Sequence, residues 1–136
     1  LPGLTNNVTY NGLWAAQNVI APVEMGPFES GQAAALRDDI ERITENFDVA
    51  IDLTLVLPNK VDSRTALAAE YLGAFEDEYP DEIAPEPIPQ SQDIRNAADD
   101  GMTAFSLEEP STTAQRAREC YEAAARAFLE RARGDP

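Results

Sequence analysis

Two pairs of adjacent acids, Asp38-Asp39 and Asp99-Asp100, are the carboxylates whose spacing invites a general acid–base reading. Neighbouring residues on a helix point in different directions, so neither pair converges on a substrate, and solvated charge explains both. Cys120 is the only cysteine, which excludes a disulfide within the chain and a cysteine cluster for a metal. The sequence has no histidine, which removes Ser-His-Asp and Cys-His catalysis and histidine-ligated metals. Lys60 is the only lysine and follows Asn59, whereas a Walker A loop needs a lysine straight after glycine to reach nucleotide phosphates. No catalytic residue and no metal ligand is therefore assigned.

The elements that must position any remaining chemistry fit one domain over residues 1–136. Hydrophobic residues make up 43%, enough for a packed core. Residues 6–17 read as a helix and 18–23 as a short buried strand. Residues 29–47 are amphipathic at helical spacing, with Ala33, Leu36, Ile40, Ile43 and Phe47 on one stripe. Residues 51–57 form the best strand in the sequence, ended by Pro58. Ser63 is read as the cap of a helix over 64–79, with Leu67, Tyr71, Leu72 and Phe75 inward. Residues 83–89 carry three prolines and read as a short strand or extended stretch. A short helix is expected over 92–99 and a short apolar run over 102–107. The last helix opens at Ser111 or Thr112 and runs to about Arg133, with Ala117, Cys120, Tyr121, Ala124 and Phe128 facing the core. Strands alternating with such helices predict an α/β fold: a partial doubly wound sheet of about three or four mainly parallel strands, covered on both faces.

Acids outnumber bases 25 to 10, a formal net charge of −15. That balance argues against a stand-alone nucleic-acid binder and against anionic membranes. High Asp and Glu with one lysine suits a halophilic protein, soluble where salt screens repulsion. Residues 70–109 hold 12 acids against Arg95 alone, while residues 110–136 hold five arginines against four acids. The arginines of the last helix alternate with Glu119, Glu122 and Glu130, the pattern of a solvated, ion-paired face. No apolar run approaches a membrane span, and Leu1-Pro2-Gly3-Leu4 has no signal-peptide character, so a cytoplasmic location is expected. The sequon Asn7-Val8-Thr9 is read there as a chance match.

Four segments, in order, resemble the carboxy-terminal half of the ParA/MinD group of deviant Walker A P-loop ATPases, the chromosome- and plasmid-partitioning ParA branch most closely. Leu1-Pro2-Gly3-Leu4-Thr5-Asn6-Asn7 is similar to the stretch after the family's switch aspartate. Val19-Ile20-Ala21-Pro22-Val23-Glu24 resembles the strand ending Ile-Pro-Val, followed by a helix opening near Gly31. Leu55-Val56-Leu57-Pro58-Asn59-Lys60-Val61-Asp62-Ser63-Arg64-Thr65 resembles a strand and its Asp-x-Arg-Thr turn. Ile88-Pro89, Ile94-Arg95-Asn96-Ala97 and Gly101-Met102-Thr103-Ala104-Phe105 resemble the Ile-Pro loop, short helix and strand before the last family helix.

The resemblance implies the carboxy-terminal half of a P-loop NTPase fold: the phosphate loop would lie upstream of Leu1, and this chain alone would not hydrolyse ATP. ATP with magnesium is implied for the parent protein, with neither held tightly by this chain. By the same resemblance Asn59, Pro89 and Gln90 sit beside the nucleotide base, the asparagine amide pairing with its edge and the proline packing on its face. Asn59 serving only backbone groups in a turn is the structural alternative. Asn59-Lys60-Val61-Asp62 also spells the Asn-Lys-x-Asp pattern that reads guanine in small GTPases, which makes Lys60 and Asp62 secondary candidates. Asp62 with Ser63 and Arg64-Thr65 reads equally as a turn and helix cap. A homo-oligomer and a ParB-like partner are implied; DNA binding is not expected of so acidic a chain, and no DNA-contact residue is carried over. The alternative function is a non-catalytic interaction domain that oligomerises through an open sheet edge.

Overall fold

The computed structural model describes residues 17–24, 32–47, 51–62 and 64–134. The sequon at Asn7, the match over residues 1–7 and the helix expected over 6–17 lie outside them, apart from Gln17. That residue is left-handed at φ 64°, and its carbonyl accepts the Asp52 N–H at 2.7 Å. Ser63 and the side chains of Ala33, Leu36 and Phe47 are also outside the described set.

Strand β1 (Asn18–Glu24) pairs in parallel with β2 (Asp52–Asn59), and helix α1 (Gln32–Phe47) lies between them in sequence. Parallel neighbours need such a crossover, so the alternation of strand and helix patterns carries through into a β-α-β unit. Val19 pairs with Leu53 but Ile20 with Leu55, leaving Thr54 as an extra residue in β2. The bulge reverses the alternation of side chains along the strand. Leu53 consequently packs with Val56, three positions on, while Leu55 and Leu57 face the opposite side. Buried Thr54 is satisfied by Asn18 Oδ1, 2.8 Å from its hydroxyl.

Residues 82–90 run along the other edge of β2. The Val56 N–H donates to Glu82 O at 2.9 Å, Ala84 to Val56 O at 2.8 Å and Ile88 to Pro58 O at 2.8 Å. Parallel bridges join Val56 to Ile83 and Val61 to Pro89. Pro85, Pro87 and Pro89 bring no N–H, so a regular ladder cannot form. The sheet expected to have three or four strands is thus two regular strands extended by one bridged segment, among the described residues. Pro58 does not end β2: it stays in the strand and its carbonyl serves Ile88.

Helices cover both faces. On one, α2 (Ala66–Glu78) and the residue after it set Phe75 and Tyr79 against Val23 and Val56. Arg37 of α1 lies 4.7 Å over the Tyr79 ring and donates to Glu78 O at 2.9 Å, tying α1 to the end of α2. On the other face, α4 (Thr112–Ala132) buries Ala114, Ala117, Cys120 and Ala124. Such small side chains let the helix lie close against Leu55, Ala84 and Ile88. The short α3 (Gln92–Asp99) adds Ile94 to this side.

Three local expectations are corrected. Thr65, not Ser63, caps α2, its Oγ1 accepting the Ala68 N–H at 3.2 Å. The cap moves because Asp62 first closes a turn, accepting Arg64 N–H on its side chain and Thr65 N–H on its carbonyl. Leu67 is 45% exposed, since the inward stripe of α2 runs through Ala68 and Phe75 instead. The apolar run at 102–107 is no strand: Gly101 turns at φ 73° and Ala104–Ser106 form a 3-10 turn closed by Thr103 and Ser106.

Candidate functional site

The carboxyl ends of β2 and of the bridged segment lie together, because Val61 donates to Ile88 O at 2.9 Å and Gln90 to Val61 O at 3.0 Å. A cleft of about 220 Å³ opens there. Asn59, Pro89 and Gln90 all line it, and so does Lys60. Residues about thirty positions apart are brought to one place by two backbone hydrogen bonds, as expected at the carboxyl ends of parallel strands. Ile88 and Ile94 give the cleft an apolar lining, and Ser91 starts α3 beside it with its Oγ accepting the Ile94 N–H at 3.4 Å.

Asn59 ends β2 opposite Glu24 of β1. Its Oδ1 accepts the Tyr121 hydroxyl at 3.3 Å. Among the described residues this is the hydrogen bond shown for its side chain. Tyr121 lines the same cleft from α4 and was assigned only to the core stripe by its helical spacing. The one available signal was its polarity in a stripe otherwise made of Ala, Cys and Phe. Burial pushes the Tyr121 phenol above its ordinary value, with Lys60 opposing, so the hydroxyl stays protonated and able to donate.

Lys60 adopts a left-handed backbone, φ 52°, directly after Asn59. Its Nζ is 3.1 Å from Glu24 Oε1, an exposed pair of small energetic weight. Asp62 does not line the cleft. It belongs to a neighbouring pocket, with Val61, Arg64 and Thr113, that meets the cleft at Pro89, Gln90 and Gln92. Arg64 takes both its oxygens, Nε to Oδ1 at 2.9 Å and Nη2 to Oδ2 at 3.0 Å. That fork holds the Asp62 carboxyl down to about 2. The turn-and-cap reading of Asp62, Arg64 and Thr65 is what the structure shows.

Cys120 is buried, and burial raises its thiol above the ordinary value. It packs with Ile88 and Ala117, as a core residue does. Among the described residues no group of three His, Cys, Asp or Glu side chains is placed to hold a metal ion. No described helix is long and apolar enough to cross a membrane. In comparison with known proteins, the chain matches no family model and no curated protein.

Proposed function

We propose that this chain supplies the base-binding part of a ParA-like partitioning ATPase. The observation that carries the reading is the cleft in which Asn59, Pro89 and Gln90 meet at the carboxyl ends of parallel β structure. The chemistry suits a planar heterocycle. Pro89 offers an apolar face, Asn59 an amide with donors and acceptor, and Gln90 a second amide at the exposed rim. Adenine is favoured over guanine because Asp62, the carboxylate that the guanine pattern requires, is engaged by Arg64 away from the cleft. Lys60 would lie along the rim, and ATP is the ligand proposed.

Contacts to the base alone give modest affinity. About ten heavy atoms at roughly 0.4 kcal/mol each amount to ~4 kcal/mol, a Kd near 1 mM. Hydrolysis is not expected, since the only lysine is not in a phosphate loop. Saturation-transfer NMR with millimolar ATP tests this. The adenine protons should receive more saturation than the ribose protons, Asn59→Ala should weaken the effect, and Mg-ATP should release no phosphate. No transfer to adenine, or steady hydrolysis, would sink the reading.

A second reading has its own observation. β1 is the outermost strand among the described residues, and its Ile20 is 45% exposed. An interaction domain pairing through that edge would form an oligomer indifferent to ATP, which sedimentation with and without the nucleotide distinguishes.

A further inference from the structure

A base and its sugar are joined by one bond, so a purine seated in the cleft sends its ribose into the space directly beside it. The polar pocket lined by Asp62, Arg64 and Thr113 is such a space, since it shares Pro89, Gln90 and Gln92 with the cleft. The two are also tied through the backbone. Val61, next to Asp62, donates to Ile88 O at 2.9 Å and accepts the Gln90 N–H at 3.0 Å. Asp62 is therefore placed by the same two bonds that place Pro89 and Gln90.

An ionised carboxylate suits a sugar hydroxyl, because it accepts hydrogen bonds and donates none. The Asp62 carboxylate is held in place for that task. Arg64 gives its backbone N–H and its Nε to Oδ1, at 3.1 and 2.9 Å, and its Nη2 to Oδ2 at 3.0 Å. The Thr65 hydroxyl donates to the Asp62 carbonyl at 3.1 Å and closes the turn. With about two acceptor sites on each carboxylate oxygen, Oδ1 is filled and Oδ2 keeps one. The site thus has room for one hydroxyl rather than for a diol. A phosphate is the poorer occupant. The Asp62–Arg64 pair is neutral as a unit, and a phosphate close enough to meet Arg64 also meets the Asp62 charge.

We propose that the pocket beside the cleft holds the sugar of the bound nucleotide, with Asp62 Oδ2 accepting one ribose hydroxyl, so that the chain distinguishes ribonucleotides from their deoxy counterparts. This rests on the base-binding reading above and names the substrate class of that site. The guanine pattern offers Asp62 to the edge of the base. Its place outside the cleft, in the adjoining pocket, gives it to the sugar instead. An aspartate that only closed the turn would leave the choice between sugars unaffected.

The probes are ATP, 2′-deoxy-ATP and 3′-deoxy-ATP, each titrated by NMR against the whole chain, with adenosine as the phosphate-free control. One of the two deoxy forms should bind about fivefold or more weakly than ATP, the loss of one hydrogen bond to a charged group, and the other about as well as ATP. Asp62→Ala should lower the ATP affinity to that of the weaker deoxy form and leave that form unaffected, which shows that the cleft itself is intact. Equal binding of all three nucleotides by the wild-type chain would overturn the sugar pocket while leaving base binding in place. A preference that survives in Asp62→Ala would take the hydroxyl away from Asp62, and equal weakening of all three in that variant would reduce Asp62 to a part of the turn; either result overturns the proposal. ATP bound more than about tenfold tighter than adenosine, with the margin lost in Arg64→Ala, would give the pocket to phosphate and overturn it as well. A wild-type chain that binds none of the four overturns this proposal together with the reading on which it rests.

Discussion

Arg64 grips Asp62 through two parallel hydrogen bonds, and the Arg64 backbone N–H adds a third at 3.1 Å. With its pKa lowered to about 2, the carboxylate is charged throughout the neutral range. A depressed carboxyl pKa contributes stability above its unfolded value of about 3.9, lost as pH falls towards the folded value. The pair faces solvent, so its effect on stability is small. Carboxyl NMR titration should place Asp62 near 2 in the native protein and return it to the ordinary aspartate range in Arg64→Ala; an unchanged value in that variant would contradict the assignment. Asn59, Pro89 and Gln90 were legible as candidates from the family resemblance, and they share one cleft because they stand at the carboxyl ends of β2 and the bridged segment, which the backbone places. Tyr121 was not, because helical periodicity reports which face a residue occupies and says nothing of what lies at the end of that face. Cys120 was legible from the same periodicity. Its buried, protonated thiol should react slowly with a thiol reagent in the native chain and at the rate of a free thiol in denaturant.

The elements that hold these residues depend on a bulge and on one arginine. At Thr54 the strand takes an extra residue, which turns its carbonyl away from regular pairing. Arg131 of α4 meets it, with Nη1 donating to Thr54 O at 3.2 Å and Glu82 O at 2.8 Å and Nη2 to Ile83 O at 2.9 Å. One side chain thereby joins helix α4 to β2 and to the bridged segment at the end remote from the cleft. Arg131→Ala leaves three carbonyls short of a charged donor and should cost about 2–3 kcal/mol in urea unfolding. Arg126→Ala, at an exposed position of the same helix, should change it by less than about 0.5 kcal/mol. Equal effects would contradict the clamp. Six regular elements, β1, α1, β2, α2, α3 and α4, fall within a few residues of their expected spans, because hydrophobic period and the residues that start and stop elements agree there. The run at 102–107 failed as a strand because Gly101, Thr103 and Ser106 form local turns that outweigh the apolar content of Met102 and Phe105. The bulge was invisible for a related reason. A run such as Leu-Thr-Leu-Val-Leu is apolar on both faces and does not say where its alternation slips.

Across the whole molecule, a charge of −15 is spread over 136 residues. Exposed pairs such as Arg37–Glu78, Lys60–Glu24 and Arg116–Glu86 offset only part of it. Salt weakens those attractions and the general repulsion alike, but acids exceed bases by more than two to one, so repulsion dominates. The Tm should therefore rise as salt increases from about 0.05 M to about 1 M, where the screening length falls from more than 10 Å to about 3 Å. A falling Tm would show that local ion pairs outweigh the net charge. The same arithmetic limits the electrostatic help available to an anionic nucleotide and leaves recognition to the neutral groups of the cleft. Backbone amide NMR during an ATP titration tests that claim most directly. The account predicts saturable shifts confined to Asn59, Lys60, Gln90, Ser91 and Tyr121 and their neighbours, with a Kd near 1 mM. A spectrum unmoved by ATP, or shifts gathered on β1 and its exposed Ile20 instead, would contradict it.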